Sequence, residues 1–248
     1  MTQLHADGKH FQLLNEEIHA CMDTDIELTG CMGQRYIASG LSGKHLRIHG
    51  IPGNALGAYA DGCTVEVFGN AQDATGDTMN AGEIVIHGSC GDATGYAMRG
   101  GSILVEGNVG YRAGIHMKAY KDQIPVLVIG GEAGSFLGEY QAGGYIIVLG
   151  LHSAAQAPVG SFCSAGMHGG KLYIRTDAPL PADLPEQVTA RDATPVDLAE
   201  IRPYLERFCA VFAIPLSALL SSHFYVITPN TATPYKRLYV TNWGERPL

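Results

Sequence analysis

A glycine pattern that recurs every nineteen residues constrains the fold of this 248-residue chain more than any other feature. Gly57, Gly76, Gly95 and Gly114 are each nineteen residues apart, and Gly138 follows after twenty-four. A second glycine series closes successive apolar runs, at Gly50, Gly69, Gly88, Gly107, Gly130 and Gly150. A fixed period of about twenty residues is typical of proteins built from stacked repeats.

Each repeat carries one short run in which aliphatic residues alternate with other types. Aliphatic residues occupy the positions two and four before each glycine of the second series: Leu46 and Ile48, Val65 and Val67, Ile84 and Ile86, Ile103 and Val105, Val126 and Val128, and Ile146 and Val148. Alternate residues of a strand share one face, so these pairs should form two inward columns. The pattern predicts an all-β fold, namely a single-stranded right-handed β-helix (a closed solenoid) with coils of about 19–24 residues and a small C-terminal helical appendage.

The outward positions of these runs change from polar to aliphatic along the chain. Arg47 and Glu66 should be neighbours in the early repeats, whereas later outward positions are aliphatic. An exposed aliphatic patch needs a cover, which is either the tail of the chain or a partner protein. The candidate partner face comprises Leu104, Glu106, Leu127, Ile129, Ile147 and Leu149.

The C-terminal part of the chain contains an amphipathic segment that could provide this cover. Thr194, Pro195 and Asp197 form the pattern of a helix start, and an apolar stripe continues to Phe212. Pro203 lies inside the stripe and predicts a kink or two short helices. The segments "FQLLNEEIHACM" and "DIELTG" predict a helix and a first strand, while "SSHFYVITPN" and "KRLYVTN" predict extended pieces.

The glycines are better interpreted as structural corners than as a phosphate site. A phosphate loop needs one glycine-rich turn between a strand and a helix, whereas here every repeat has its glycines and another strand follows. Asp73 and Asp92 occupy equivalent corners, which favours a ladder of turn-capping side chains over a Ca²⁺ site. The predicted corners are Gly57, Gly76, Gly95, Gly114, Gly138, Gly143, Gly144, Gly166, Gly169 and Gly170.

Clusters that could support catalysis are weak in this sequence. His49 and His87 share an outward column, but Phe68 lies between them and separates them too far for one metal ion. Glu66 and Glu106 belong to different columns, so no pair of carboxylates forms. We therefore expect no catalytic residue, no cofactor and no metal site in this chain.

The segment 110–123 concentrates basic residues around an insertion. Arg112, His116 and Lys118 are a candidate loop for an anion or a partner, and a solvated loop is the alternative. The six cysteines are scattered without a C-x-x-C pair, which is typical of small buried side chains.

Composition excludes several functional classes. The formal charge of −8 and the absence of a basic cluster argue against nucleic acid. No apolar run approaches the length of a membrane span, and the start of the sequence lacks the pattern of a signal peptide. We expect a soluble, cytoplasmic protein that binds neither nucleic acid nor membrane.

Three stretches resemble one known family. "GEYQAGGYIIVLG" (138–150), "VGSFCSAGMHGGKLYI" (159–174) and "GCMGQRYIASG" (30–40) are similar to the C-terminal glycine-rich GXGXG β-helix domain of the glutamate synthase large subunit, and the resemblance covers about residues 10–175. It implies a structural element without catalytic residues, packed between glutaminase and FMN-binding domains near the route of ammonia. A related domain forms one of the non-catalytic chains of formylmethanofuran dehydrogenase.

The resemblance implies that chemistry resides on other chains. This sequence begins Met1-Thr2 without the N-terminal cysteine of an amidotransferase, and it has neither the (β/α)8 pattern for FMN nor a cysteine cluster for an iron–sulfur centre. The expected partners are a glutamine amidotransferase subunit and a synthase subunit that carries FMN and iron–sulfur clusters. The expected organisation is a helix and first strand in 1–30, the repeats in 31–176, and a linker, helices and tail in 177–248.

Other functions stay open from the sequence. The chain could belong to a formylmethanofuran dehydrogenase or an N-methylglutamate synthase. It could also be an independent β-helix hydrolase or lyase, or a module that associates with itself through its ends.

Overall fold

The structure, a computed structural model, describes residues 1–153 and 155–230. The secondary structure of these residues consists mainly of strands that recur with the repeat. In chain order the elements are β1 Thr2–His5, α1 Phe11–Ala20, β2 Asp25–Met32, β3 His45–Ile51, β4 Asp61–Phe68, β5 Ala81–Ile86, β6 Ser102–Val105, β7 Val126–Ile129, β8 Ala142–Val148, β9 Gly169–Arg175, β10 Val188–Asp192, α2 Pro195–Phe212, α3 Leu216–Leu220 and β11 Phe224–Pro229.

The strands form one sheet of eleven in the order β1-β2-β3-β4-β5-β6-β7-β8-β9-β11-β10. Neighbours from β1 to β9 are parallel, and β11 pairs antiparallel with both β9 and β10. The prediction of a mostly β fold is confirmed. β1 and β10 were not predicted; they form the two edges of the sheet.

The prediction of a closed β-helix is wrong, because the strands form a single open sheet. Each repeat contains one run of alternating apolar residues long enough for a strand. The intervening segments are turns rich in positive-φ residues, and successive turns stack through backbone hydrogen bonds such as Gly76 N to Leu56 O (2.8 Å). A chain with so many left-handed backbone positions cannot continue as an extended strand between its turns.

The main core lies between the inner face of the sheet and the stacked turns. Leu46, Val65, Ile84 and Ile103 pair in register across β3 to β6 and are at most 1% exposed. The predicted ladder of capping side chains is confirmed: the Asp92 backbone N–H donates to Asp73 Oδ1 at 2.9 Å.

The predicted inward register is wrong at β7 by one residue. Ile103 pairs with Leu127 and Val105 with Ile129, so Leu127 and Ile129 point into the main core, and Val126 and Val128 point outward. The cause is the longer insertion in this repeat: the residue that bonds to Gly107 is Gly131, whose N–H donates to Gly107 O at 2.9 Å. Because the inward positions were counted back from Gly130 instead of Gly131, the wrong residues of β7 were assigned to the inner face of the sheet.

The helical predictions for the two ends are mostly confirmed. Helix α2 begins after the N-cap Thr194 with Pro195 in its first turn and a capping box to Asp197. The helix continues through Pro203 as one element, so splitting into two is wrong. Pro203 has no N–H to donate to the carbonyl of Ala199. Both residues are exposed, so water can reach this carbonyl instead. Helix α1, β2 and β11 lie where expected, and "KRLYVTN" lies outside the described residues.

Candidate functional site

The aliphatic half of the outer sheet face is covered by the chain itself. Leu104, Ile147 and Leu149, all from the candidate partner face, are at most 1% exposed and pack with Leu205 and Phe208 of α2. The candidates Leu127 and Ile129 are fully buried in the main core. Glu106 is the one exposed member of the candidate set, and its partner role stays a prediction.

Charged and phenolic groups attach α2 to the sheet. Arg207 contacts Glu83 with two nitrogens, and Glu200 accepts hydrogen bonds from Tyr145 (2.7 Å), Tyr173 (2.8 Å) and Lys171. Burial and the Glu200 carboxylate raise the pKa of Tyr145 to about 12. Burial opposes ionisation of Glu200, but the bond from Lys171 holds the pKa of this carboxyl below its ordinary value.

The start of α2 is also held by an ion pair. Arg191 donates two hydrogen bonds to Asp197, at 2.7 and 2.9 Å, and Thr194 completes the carboxylate's contacts. The Arg191 bonds lower the pKa of Asp197 well below its ordinary range, against the opposing effect of burial. These carboxylates are engaged in fixing the helix rather than aimed at a substrate.

The other half of the outer face, over β2 to β5, carries a partly exposed aromatic stack. The Phe68 ring lies between His49 and His87, 4.9 Å from each ring centroid, as the column position predicted. Glu27 pairs with His49 at 3.0 Å, and Glu66 with His87 at 2.9 Å. His87 Nδ1 also lies 4.0 Å from Glu106, and the two imidazoles do not converge on one atom.

The predicted corner glycines lie in the stacked turns or beside the starts of strands. Eight of them have φ between +65° and +79°; Gly143 and Gly169 do not, but a Cβ there would lie 2.5 and 2.4 Å from backbone atoms of the preceding repeat. At Gly114, a Cβ would also meet the Ile146 side chain at 2.4 Å. Close stacking and left-handed backbone together account for the glycine at this position.

The predicted basic loop does not act as one unit in the structure. Arg112 donates to Glu139 at 2.8 Å and lies over the Tyr111 and Phe136 rings, at 4.8 and 5.1 Å from their centroids. His116 instead stacks on Tyr140, with ring centroids 5.1 Å apart. Arg112 is thus neutralised locally, while His116 and Lys118 belong to a different surface.

That surface is an open groove on the turn side of the molecule, which we call the basic groove. Its volume is about 440 Å³, and it is lined by Tyr96, Ala97, Arg99, His116, Lys118, Tyr140, Ala142 and His168. The lining contains no carboxylate. Among the described residues, neither Arg99 nor Lys118 forms a salt bridge.

Sequence reasoning found His116 and Lys118 but missed Arg99 and Tyr140, and it did not place His168 beside them. The signal was present in the repeat: Arg99 and Lys118 are nineteen residues apart, and Tyr140 follows His116 after the same twenty-four that separate Gly114 from Gly138. Backbone bonds confirm these columns, for example Ala97 N to Ile115 O and His116 N to Glu139 O. The position of His168 beside these residues was not predicted, because the intervening repeat has a further insertion.

Thiols and metal ligands are not gathered into a reactive centre. All six cysteines are free, and burial raises the pKa of Cys31 and Cys63 to about 11 and of Cys90 and Cys163 to about 12. Within 1–153 and 155–230, no three His, Cys, Asp or Glu side chains are close enough to hold a metal ion. No helix in the described part of the chain is long and apolar enough to cross a membrane.

The open repeat sheet with its stacked glycine turns defines a glycine-repeat β protein, and comparison with known proteins gives its family. The GXGXG motif family model matches residues 14–231, so the chain belongs to the GXGXG family. An uncharacterized protein of Methanocaldococcus jannaschii is 46% identical over 96% of this chain and 97% of its own length.

A second relative links the chain to an enzyme of known name. Ferredoxin-dependent glutamate synthase 2 of Synechocystis is 30% identical over 88% of this chain but only 13% of its own length. The chain is therefore similar to one segment of that much larger protein. This confirms the resemblance to the glycine-rich domain of glutamate synthase.

Proposed function

We propose that this chain is a non-catalytic assembly subunit of a glutamate-synthase-type complex. The observation that carries the proposal is the alignment of most of this chain with 13% of a ferredoxin-dependent glutamate synthase. A chain of this kind corresponds to one segment of the enzyme, and separate chains would supply the rest. These are a glutamine amidotransferase subunit and an FMN-binding subunit with iron–sulfur clusters.

The state of the ionisable groups supports a structural role. Asp197 and Glu200, whose pKa values are lowered, hold α2 on the sheet, and the four most perturbed thiols are buried with raised pKa values. A catalytic acid, base or nucleophile needs a pKa near the working pH and access to a substrate. The proposal that the chain lines a path for ammonia stays a prediction.

The rigid character of the sheet suits an assembly role. Parallel pairing from β1 to β9, with local register shifts in three of the strand pairs, positions the outer columns and the turns relative to one another. Partners that dock on different sides of such a scaffold would keep a fixed separation, which a transfer between two active sites requires.

Co-purification with activity assays tests the proposal. An affinity-tagged chain is purified from its source organism, and both glutaminase activity and glutamine-dependent glutamate formation are measured for the complex and for the chain alone. We expect activity and bound flavin only with the co-purifying chains. Activity or flavin in the isolated chain would refute the proposal, and a complex with molybdopterin instead of flavin would favour the formylmethanofuran dehydrogenase class.

A further inference from the structure

The basic groove has a charge arrangement that the fold alone does not explain. Arg99 and Lys118 occupy the same column in adjacent repeats: Arg99 N donates to Met79 O and Lys118 N to Met98 O. Directly adjacent like charges destabilise a stack of strands or turns. Other charges in the turns have partners: Arg112 pairs with Glu139, and the adjacent carboxylates of Asp73 and Asp92 each accept a backbone N–H of the next repeat.

The remaining lining adds imidazole and aromatic side chains. His168 Nδ1 donates to Gly166 O at 3.0 Å, which leaves Nε2 as a hydrogen-bond acceptor in the neutral ring. His116 stacks on the face of Tyr140 and lies nearly perpendicular to the Tyr96 ring. The positive charges of Arg99 and Lys118, bordered by these aromatic side chains, form a surface that recognises carboxylates.

The shape of the groove favours an extended ligand. Its lining comes from four successive repeats, represented by Arg99, Lys118, Tyr140 and His168. Three steps of about 4.8 Å give a length of about 14 Å, which about four residues of extended peptide would span. A small carboxylate would occupy only one end of such a groove.

We propose that the basic groove binds an acidic, extended segment of a partner subunit, whose carboxylates pair with Arg99 and Lys118. This proposal rests on the assembly role proposed above. It also accounts for two adjacent cations in a chain whose formal net charge is −8. The bound carboxylates would neutralise the repulsion that the free groove retains.

Peptide binding to the isolated full-length chain tests the groove directly. Fluorescein-labelled hexaglutamate is titrated by fluorescence anisotropy, with hexaglutamine as the uncharged control. We expect saturable binding of hexaglutamate below about 1 mM, weakened by added salt, and none of hexaglutamine. Failure of hexaglutamate to bind, or equal binding of hexaglutamine, would overturn the proposal.

Matched double variants locate the site. Arg99→Gln with Lys118→Gln should weaken binding about tenfold, since each exposed ion pair accounts for a factor of about three. Arg47→Gln with Arg202→Gln removes the same charge from exposed positions outside the groove and should leave affinity within about twofold. Equal loss in both variants would overturn the site, as would displacement of the peptide by succinate at equal concentration.

A stability readout keeps the test decisive if a variant binds poorly for another reason. Because Arg99 and Lys118 repel each other, Lys118→Gln alone should unfold at the same or a slightly higher temperature than the wild type. A marked loss of stability would mean that Lys118 is structural and would overturn its assignment to a ligand. The peptide titration uses the isolated chain and is therefore independent of the co-purification. If a synthase co-purifies but hexaglutamate does not bind, only the groove proposal is rejected. If hexaglutamate binds specifically but no synthase co-purifies, only the assembly role is rejected.

Discussion

Truncation of Phe208 to alanine tests whether α2 truly covers the outer sheet face. Phe208 is fully buried, a Cβ on Gly130 would lie 2.9 Å from its Cζ, and its ring centroid lies 4.6 Å from that of Phe212. Removing the side chain loses about 2–3 kcal/mol of transfer free energy. The cavity and the lost aromatic pair bring the expected decrease in the free energy of unfolding to about 4 kcal/mol.

Urea unfolding followed by circular dichroism measures this loss. With a slope of about 2 kcal/mol/M, the midpoint should fall by about 2 M. The matched control is Phe162→Ala: Phe162 is 50% exposed and stacks on Phe136 at 4.9 Å, so its loss should cost only about 1 kcal/mol. If both variants lose the same free energy, α2 does not bury the sheet as described.

Three further perturbations test separate features. Gly130→Ala should cost about 2–3 kcal/mol of unfolding free energy, because the added Cβ lies 2.1 Å from Glu106 O. In the control Gly8→Ala, the Cβ meets no atom within 4 Å, so only the φ of +69° should cost about 1 kcal/mol. Equal losses in urea titrations would contradict the close stacking. Asp197→Asn should lower the free energy of unfolding by about 1–2 kcal/mol at pH 7. Because the pKa of Asp197 in the folded state lies below the unfolded value of about 3.9, the difference from wild type should shrink as the pH falls from about 5 through the folded pKa. A difference that does not change with pH, or a similar effect of the control Asp122→Asn, would contradict the role of the ion pair. At pH 8, 5,5′-dithiobis(2-nitrobenzoic acid) should react rapidly with Cys21 alone and with all six thiols in guanidinium chloride; rapid reaction of a second thiol in the native protein would contradict the burial.

The covering of the outer face shows how far the sequence led and where it stopped. The stripe from Thr194 to Phe212 and the aliphatic outward positions were both readable, and the structure joins them. The register of β7 could not be predicted from the sequence, because after the insertion either Gly130 or Gly131 could be the glycine that ends the apolar run. A one-residue shift exchanges the two faces, so Leu127 and Val128 changed places.

The candidate site shows a similar division. His116 and Lys118 stood out in the sequence because they are close along the chain, and Arg112 was grouped with them for the same reason. Backbone direction at each turn then separates Arg112, which pairs with Glu139, from the groove that His116 shares with His168. Proximity along the chain does not determine which side of a turn a side chain occupies.

The sequence by itself determined the repeat, the strand of each repeat, the inward residues of β3 to β6 and of β8, the helix start at Thr194 and the resemblance that the family match confirms. These depend on local patterns: period, alternation and capping. Only the tertiary structure decided that the strands form one open sheet, that β10 and β11 complete it, that α2 covers its aliphatic half, and that Arg99 and Lys118 share a groove. Each of these depends on which distant residues meet, and that is set by insertions and packing rather than by the period.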